Sequence, residues 1–142
     1  MPTIIRWYVK SALLYLACAF GMGVWQQAAA RSGTLTPVYW HLFLVGWLTQ
    51  LIFGIALWML PSYTREQPRR SDLLNWAVYV TLNAGLLLRA VAEPLRPVQA
   101  DNAFWGWALV VSAVLQWLAA LGFVVNTWER VRGPRRKPRG GR

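Results

Sequence analysis

Residues 37–61 read PVYWHLFLVGWLTQLIFGIALWMLP and contain no Asp, Glu, Lys or Arg. A helix needs about 20 predominantly apolar residues to cross the roughly 30 Å hydrocarbon core of a bilayer. This stretch is long enough, and a proline stands at each end, where helices tend to begin or to stop. It therefore predicts a membrane-spanning helix, which we place at residues 38–60.

Three further uncharged stretches suggest membrane spans. They lie between Lys10 and Arg31, between Asp72 and Arg89, and between Asp101 and Glu129. We place helices in them at residues 5–28, 73–93 and 103–128. All eight prolines lie outside the four predicted helices, and Pro94 is expected to end the third. The connections are short, so consecutive helices should be antiparallel neighbours.

The composition agrees with a single membrane domain. Of the 142 residues, 56% are hydrophobic and only 14% are charged, and Cys18 is the one cysteine. This content excludes a disordered chain and a disulfide-stapled fold. The predicted fold is an all-α integral membrane four-helix bundle with up-down topology, in which residues 1–130 form the transmembrane domain and residues 131–142 a basic tail.

The distribution of basic residues predicts the orientation. Most of the 15 Lys and Arg residues lie in three segments, namely Arg6 and Lys10 at the N-terminus, Arg65, Arg69 and Arg70 after the second helix, and Arg130, Arg132, Arg135, Arg136, Lys137, Arg139 and Arg142 in the tail. Basic loops stay on the cytoplasmic side, so both termini are expected to be cytoplasmic, in a bacterial cytoplasmic membrane. The tail has no folded nucleic-acid-binding module beside it, so we interpret its charge as a topology signal that meets anionic lipid, with no nucleic-acid partner.

The sequence lacks the residues that several kinds of membrane protein require. All five acids lie at or beyond the predicted helix ends, which disfavours a proton-coupled exporter. Neither a Cys-x-x-Cys pair nor a Ser/His/Asp set nor a phosphate-binding glycine loop is present, so disulfide chemistry, hydrolysis and nucleotide chemistry have no support. We do not expect the chain to be an enzyme on its own.

Two residues remain as candidates for a functional site. His41 lies four residues after Pro37, about 6 Å from the outer end of the second helix. Arg89 lies five residues before Pro94, about 7 Å from the outer end of the third. In antiparallel neighbours the two side chains would lie at the same depth. An imidazole there can ligate haem iron, and a guanidinium can pair with a haem propionate. Alternatively, His41 satisfies hydrogen bonds near the interface, and Arg89 extends toward water or pairs with Glu93.

Small and polar residues predict how the helices pack. Gly46, Gln50 and Gly54 recur every fourth residue on one face of the second helix, and the pairs Ala17 and Gly21, and Ala19 and Gly23, recur similarly in the first. Four polar residues of the third and fourth helices are expected to form hydrogen bonds between helices, namely Thr81, Asn83, Ser112 and Gln116.

The stretch from His41 through Gly46, Trp47, Gly54 and Trp58 to Pro61 resembles the second helix of subunit I in the haem-copper oxidase superfamily, particularly the C-type cytochrome oxidases and nitric oxide reductases. Three further segments run in register with it, namely Ile4-Ile5-Arg6-Trp7-Tyr8, Leu82-Asn83-Ala84-Gly85-Leu86 and Val124-Val125-Asn126-Thr127-Trp128. The resemblance covers nearly the whole chain, but only the first four helices of a much larger subunit.

The resemblance implies a site. In that family a His at this position ligates low-spin haem b, so the resemblance implies His41 as the haem iron ligand, for electron transfer or gas binding. Arg89, expected at the same depth, is then the candidate propionate partner. The family's remaining haem and copper ligands lie on later helices that this sequence lacks. Leu42 and Phe43 also replace the small polar residues that often follow the ligand.

The sequence offers one histidine as an axial ligand. A bound haem would take its second axial ligand from another chain or stay five-coordinate. A two-fold dimer could supply a second His41, a partner subunit could supply another ligand, or the iron could stay five-coordinate and accept a gas. The alternative function is a haem-free structural or accessory subunit of a membrane complex such as a respiratory one. Either way we expect a homo-oligomer or a larger membrane complex.

Overall fold

The computed structural model describes residues 2–29, 35–60, 72–99, 101–128 and 130–131. In these ranges the chain is helical and contains no strand. The helices are α1 (Thr3–Ala28), α2 (Thr36–Met59), α3 (Asp72–Val98) and α4 (Ala103–Thr127), and all four are long and apolar enough to cross a membrane. The prediction of an all-α protein with four candidate membrane spans is therefore confirmed.

The predicted end of the third helix is wrong. α3 continues through Pro94 and Pro97 to Val98. Proline lacks the N–H that would bond to the carbonyl four residues earlier, so the carbonyls of Ala90 and Glu93 lose their usual helical donors. Helices in membranes tolerate such prolines where other groups can satisfy the freed carbonyls. The extension places Glu93 inside the helix, whereas the sequence pattern placed it at the helix end.

The middle of α2 is not a regular α-helix. An α-helical turn over Thr36–His41 is followed by a π-helix over Leu42–Thr49, and α-helix resumes over Gln50–Met59. Within the π-helix the hydroxyl of Thr49 donates to the carbonyl of Leu44, five residues earlier, at 2.9 Å. π-helices are rare and occur often near functional sites. This one begins immediately after His41.

Two tyrosines of α1 pack onto two glycines of α2. A Cβ atom added to Gly54 would lie 2.9 Å from the Cβ of Tyr8, and one added to Gly46 would lie 2.8 Å from the Cγ of Tyr15. Between these contacts, the side-chain amide of Gln50 donates to the hydroxyl of Ser11 at 2.9 Å. The predicted packing face of Gly46, Gln50 and Gly54 is therefore confirmed, with α1 as its neighbour.

Hydrogen bonds also join α1 to α3. Tyr15 donates from its hydroxyl to the side-chain oxygen of Asn83 at 2.9 Å, and Tyr79 donates to the hydroxyl of Ser11 at 3.2 Å. Tyr8 is fully buried and reaches the backbone carbonyl of Asn75 at 3.4 Å. Groups that would be costly to expose to hydrocarbon are thus paired between helices.

The fourth helix packs mainly against α3. Ser112 donates to the carbonyl of Gly85 at 2.7 Å, and the side-chain amides of Asn126 and Asn75 bond to each other. The interhelical role predicted for Ser112 and Asn83 is confirmed. It is wrong for Thr81, which bonds to carbonyls of its own helix, and for Gln116, which bonds to Ser112 within α4.

Arg130 connects the end of α4 to the end of α2. Its side chain is buried, and one terminal nitrogen lies 2.8 Å from the carbonyl of Leu60 and 3.3 Å from that of Leu57. Leu57 lies in the last turn of α2 and Leu60 directly follows it, a position where a cation is favourable. Nearby, the rings of Phe53 and Phe123 stack with centroids 3.8 Å apart. Arg130, counted in the sequence among the topology charges, is a packing residue.

We expect Gly46→Ala to destabilise the protein, because the new methyl group would overlap the ring of Tyr15 and the side chain of Leu86. Overpacking of this kind lowers the free energy of unfolding by about 1–3 kcal/mol. The matched control is Gly21→Ala, since nothing lies within 4 Å of a Cβ added there. Thermal unfolding of the purified protein in detergent measures both. Equal midpoints for the two variants would contradict the packing of α1 on α2.

Candidate functional site

The two residues singled out in the sequence meet at a third. Glu93 on α3 accepts a hydrogen bond from the Nε of Arg89 at 2.8 Å, and the same carboxylate oxygen lies 3.6 Å from the Nδ1 of His41 on α2. We call these three residues the charged cluster, and the end of the helices where it lies the His41 end. The expectation that His41 and Arg89 lie at the same depth is met, with Glu93 between them.

The imidazole of His41 is held through one nitrogen. Its Nδ1 lies 2.8 Å from the carbonyl oxygen of Pro37, one turn earlier in α2. A carbonyl only accepts hydrogen bonds, so this contact places the proton of a neutral imidazole on Nδ1 and leaves Nε2 with a lone pair. Histidines that ligate metals are held in this way, by a backbone carbonyl or a carboxylate on the second nitrogen.

Only one of the three guanidinium nitrogens of Arg89 has a hydrogen-bond partner among the described residues. Its Nε is paired with Glu93, which confirms the alternative that the sequence offered for this residue, an ion pair one turn apart. Its two terminal nitrogens have no hydrogen-bond partner among the described residues. The Arg89 side chain is about one quarter exposed. It can therefore pair with a second acidic group without releasing Glu93.

Glu93 is the member of the cluster that the sequence did not single out. Its side chain is 11% exposed, and its second oxygen is buried with no hydrogen-bond partner in the described part of the chain. The four-residue spacing from Arg89 was visible in the sequence and predicted the ion pair. The approach to His41 was not, since it depends on how α2 and α3 pack.

A cavity of about 520 Å³ opens beside the charged cluster. It lies between the start of α2, the last turns of α3 and the first turns of α4. Its lining residues are Pro37, Arg89, Glu93, Arg96, Pro97 and Leu109. His41 does not line the cavity. Its Nε2 therefore faces different surroundings from the guanidinium groups of Arg89 and Arg96.

The residues present fit haem only in part. The free Nε2 of His41 matches an axial ligand, and the terminal nitrogens of Arg89 match a propionate partner. The cavity that Arg89 lines, however, does not reach His41. His41 is also the one histidine of the sequence, which therefore offers no second imidazole. Within the described ranges, no group of three or more His, Cys, Asp or Glu could hold a metal ion.

Several charged residues considered in the sequence lie outside the described residues. They are Arg31, Arg65, Glu66, Arg69, Arg70, Glu129 and the basic residues of the tail from Arg132 onward. The orientation signal therefore remains a property of the sequence.

Comparison of the chain with protein-family models, with curated proteins and with solved structures finds no match.

Proposed function

We propose that the chain crosses a bacterial cytoplasmic membrane four times, with antiparallel consecutive helices and both termini in the cytoplasm. The contacts support the antiparallel arrangement, because residues pair in reverse order along the chain. Tyr8 meets Gly54 whereas Tyr15 meets Gly46, and Asn75 meets Asn126 whereas Gly85 meets Ser112. The basic residues at the N-terminus, after α2 and after α4 support the orientation.

A reporter fused to the C-terminus tests this orientation. A cytoplasmic C-terminus gives a fluorescent green fluorescent protein fusion and an inactive alkaline phosphatase fusion. Both reporters fused after residue 33, in the first loop, should give the opposite pattern. An active phosphatase at the C-terminus would contradict the proposed orientation.

We further propose that the protein is a haem-free accessory subunit of a larger membrane complex and has no enzymatic activity alone. The observation that carries this proposal is Trp117. It lies ten residues before the end of α4, near the middle of the span, and is 60% exposed. Its indole N–H has no acceptor among the described residues. Hydrocarbon offers none either, so a protein acceptor from a neighbouring chain would satisfy it.

The charges and polar groups of the helices are consistent with this role. Most buried polar side chains, such as Gln50, Asn75 and Ser112, are engaged in contacts between helices. Glu93 pairs with the charge of Arg89. α4, by contrast, packs mainly on one neighbour and exposes large apolar side chains along its length. This face is available to a partner helix.

We expect the wild-type chain to migrate in mild detergent at a mass well above its own 16.2 kDa plus detergent. Trp117→Phe keeps an aromatic side chain but removes the N–H, and should shift the protein toward the monomer, because one hydrogen bond contributes about 0.6–2 kcal/mol to helix association in membranes. Trp107→Phe is the control, since Trp107 is equally exposed but lies near the start of α4, where headgroups can accept its N–H. Blue native electrophoresis and size-exclusion chromatography with light scattering measure the mass. A wild-type monomer would contradict the proposed role.

The second candidate function is binding of haem b through His41. It is favoured by the hydrogen bond of Nδ1 to Pro37, which leaves Nε2 as the free nitrogen, and by the resemblance of residues 41–61 to an oxidase helix. Bound haem b would supply one-electron transfer or gas binding. In this case Glu93 and Pro37 would orient the imidazole, and the terminal nitrogens of Arg89 would hold a propionate. A second His41 from a two-fold dimer, a ligand from a partner subunit or a five-coordinate iron completes the site.

A reduced-minus-oxidised absorption spectrum of protein purified from haem-replete cells separates the two candidates. The accessory role predicts no Soret band in the wild type. A band that disappears in His41→Ala and persists in Trp40→Ala, the exposed neighbour, would instead establish haem ligation by His41 and overturn the haem-free role.

A further inference from the structure

The cavity at the His41 end is lined by one stripe of α3. Arg89, Glu93 and Arg96 are spaced four and three residues apart, which places all three on one face of the helix. Arg96 lies two residues before the end of α3, and Arg89 lies nine residues before it. At 1.5 Å per residue the two arginines are about 10 Å apart along the helix axis. The cavity thus extends inward from the end of α3.

The charge of the cavity is positive. Glu93 neutralises Arg89, and among the described residues Arg96 has no ion-pair partner. The lining therefore carries one positive charge in excess, together with the unused terminal nitrogens of Arg89. Guanidinium groups bind phosphate in a bidentate geometry, and an anion between them would satisfy both.

The other walls of the cavity are apolar. Pro37, Pro97 and Leu109 come from three different helices and present no hydrogen-bonding side chain. α3, with 27 residues, is about 40 Å long and so exceeds the hydrocarbon core by several ångströms. Centred on the hydrocarbon core, a helix of this length would place Arg96 at the level of the lipid headgroups and Arg89 about 10 Å deeper, from where its side chain can extend toward the same boundary. A ligand of matching shape has an anionic group above an apolar part.

We propose that this cavity binds the headgroup of an anionic phospholipid, with its phosphate between Arg96 and the terminal nitrogens of Arg89 and its glycerol and upper acyl chains against Leu109. The bound lipid fills the space between the ends of α2, α3 and α4. This site goes beyond the proposed accessory role, and it requires neither a haem nor a partner subunit.

The test uses the purified full chain after delipidation in detergent. Dioleoylphosphatidylglycerol, dioleoylphosphatidylcholine and inorganic phosphate are titrated separately, and binding is measured by native mass spectrometry. Phosphatidylglycerol should bind at least five-fold more tightly than phosphatidylcholine, and inorganic phosphate should not compete. Arg96→Gln should weaken phosphatidylglycerol binding about five-fold, the factor expected for one basic residue next to an anionic lipid. The control is Arg6→Gln. Arg6 is exposed and lies near the start of α1, at the end of the helices opposite the His41 end, so this substitution should leave binding unchanged.

A second variant tests whether the lipid occupies the cavity. Leu109→Trp fills the cavity without changing its charge, and it should also weaken phosphatidylglycerol binding. Equal binding of the two lipids, an unchanged preference in Arg96→Gln and Leu109→Trp, or competition by inorganic phosphate at the same site would each overturn the proposal. The absorption spectrum of the same sample reports any haem, so failure of this site is distinguishable from failure of the haem candidate.

Discussion

The close approach of α1 and α2 is the contact on which the other helix positions depend. Gly46 and Gly54 leave room for the rings of Tyr15 and Tyr8, so the two helices come near enough for Gln50 to bond to Ser11. Ser11 in turn receives the hydroxyl of Tyr79, and Tyr15 reaches Asn83, so the same face of α1 also holds α3. In hydrocarbon, where apolar burial contributes little between helices, small residues and interhelical hydrogen bonds provide the attraction.

The cost of leaving polar groups unpaired in hydrocarbon also explains why Arg89, Glu93 and His41 lie together at the His41 end. Arg89 and Glu93 lie inside a helix that the sequence pattern had ended at Pro94, so their charges need a partner there. They neutralise each other across one helical turn, and His41 lies against the same carboxylate. The prolines that follow remove two backbone donors near the end of α3. Charge, histidine and irregular backbone therefore concentrate at one end, beside the cavity.

Much of the fold could be predicted from hydropathy, because a span needs only length and a lack of charge. The predicted helix end at Pro94 was wrong, since local propensity cannot report that a membrane and neighbouring helices tolerate a proline within the helix. For the site, the pairing of Arg89 with Glu93 could be predicted from spacing, but not the contact of Glu93 with His41, which joins residues 52 positions apart. The packing role of Arg130 was missed for the same reason, because its partners are carbonyls at the end of a different helix.

The sequence by itself determined the number of helices, their apolar character and the uneven distribution of basic residues, since these are properties of single segments and their solvent. Only the tertiary structure decided which polar groups of different helices meet. The pairing of Gln50 with Ser11 and the arginine-lined cavity both depend on side chains from separate helices fitting within a few ångströms. Periodicity fixes the face on which a residue lies, whereas packing fixes what it contacts.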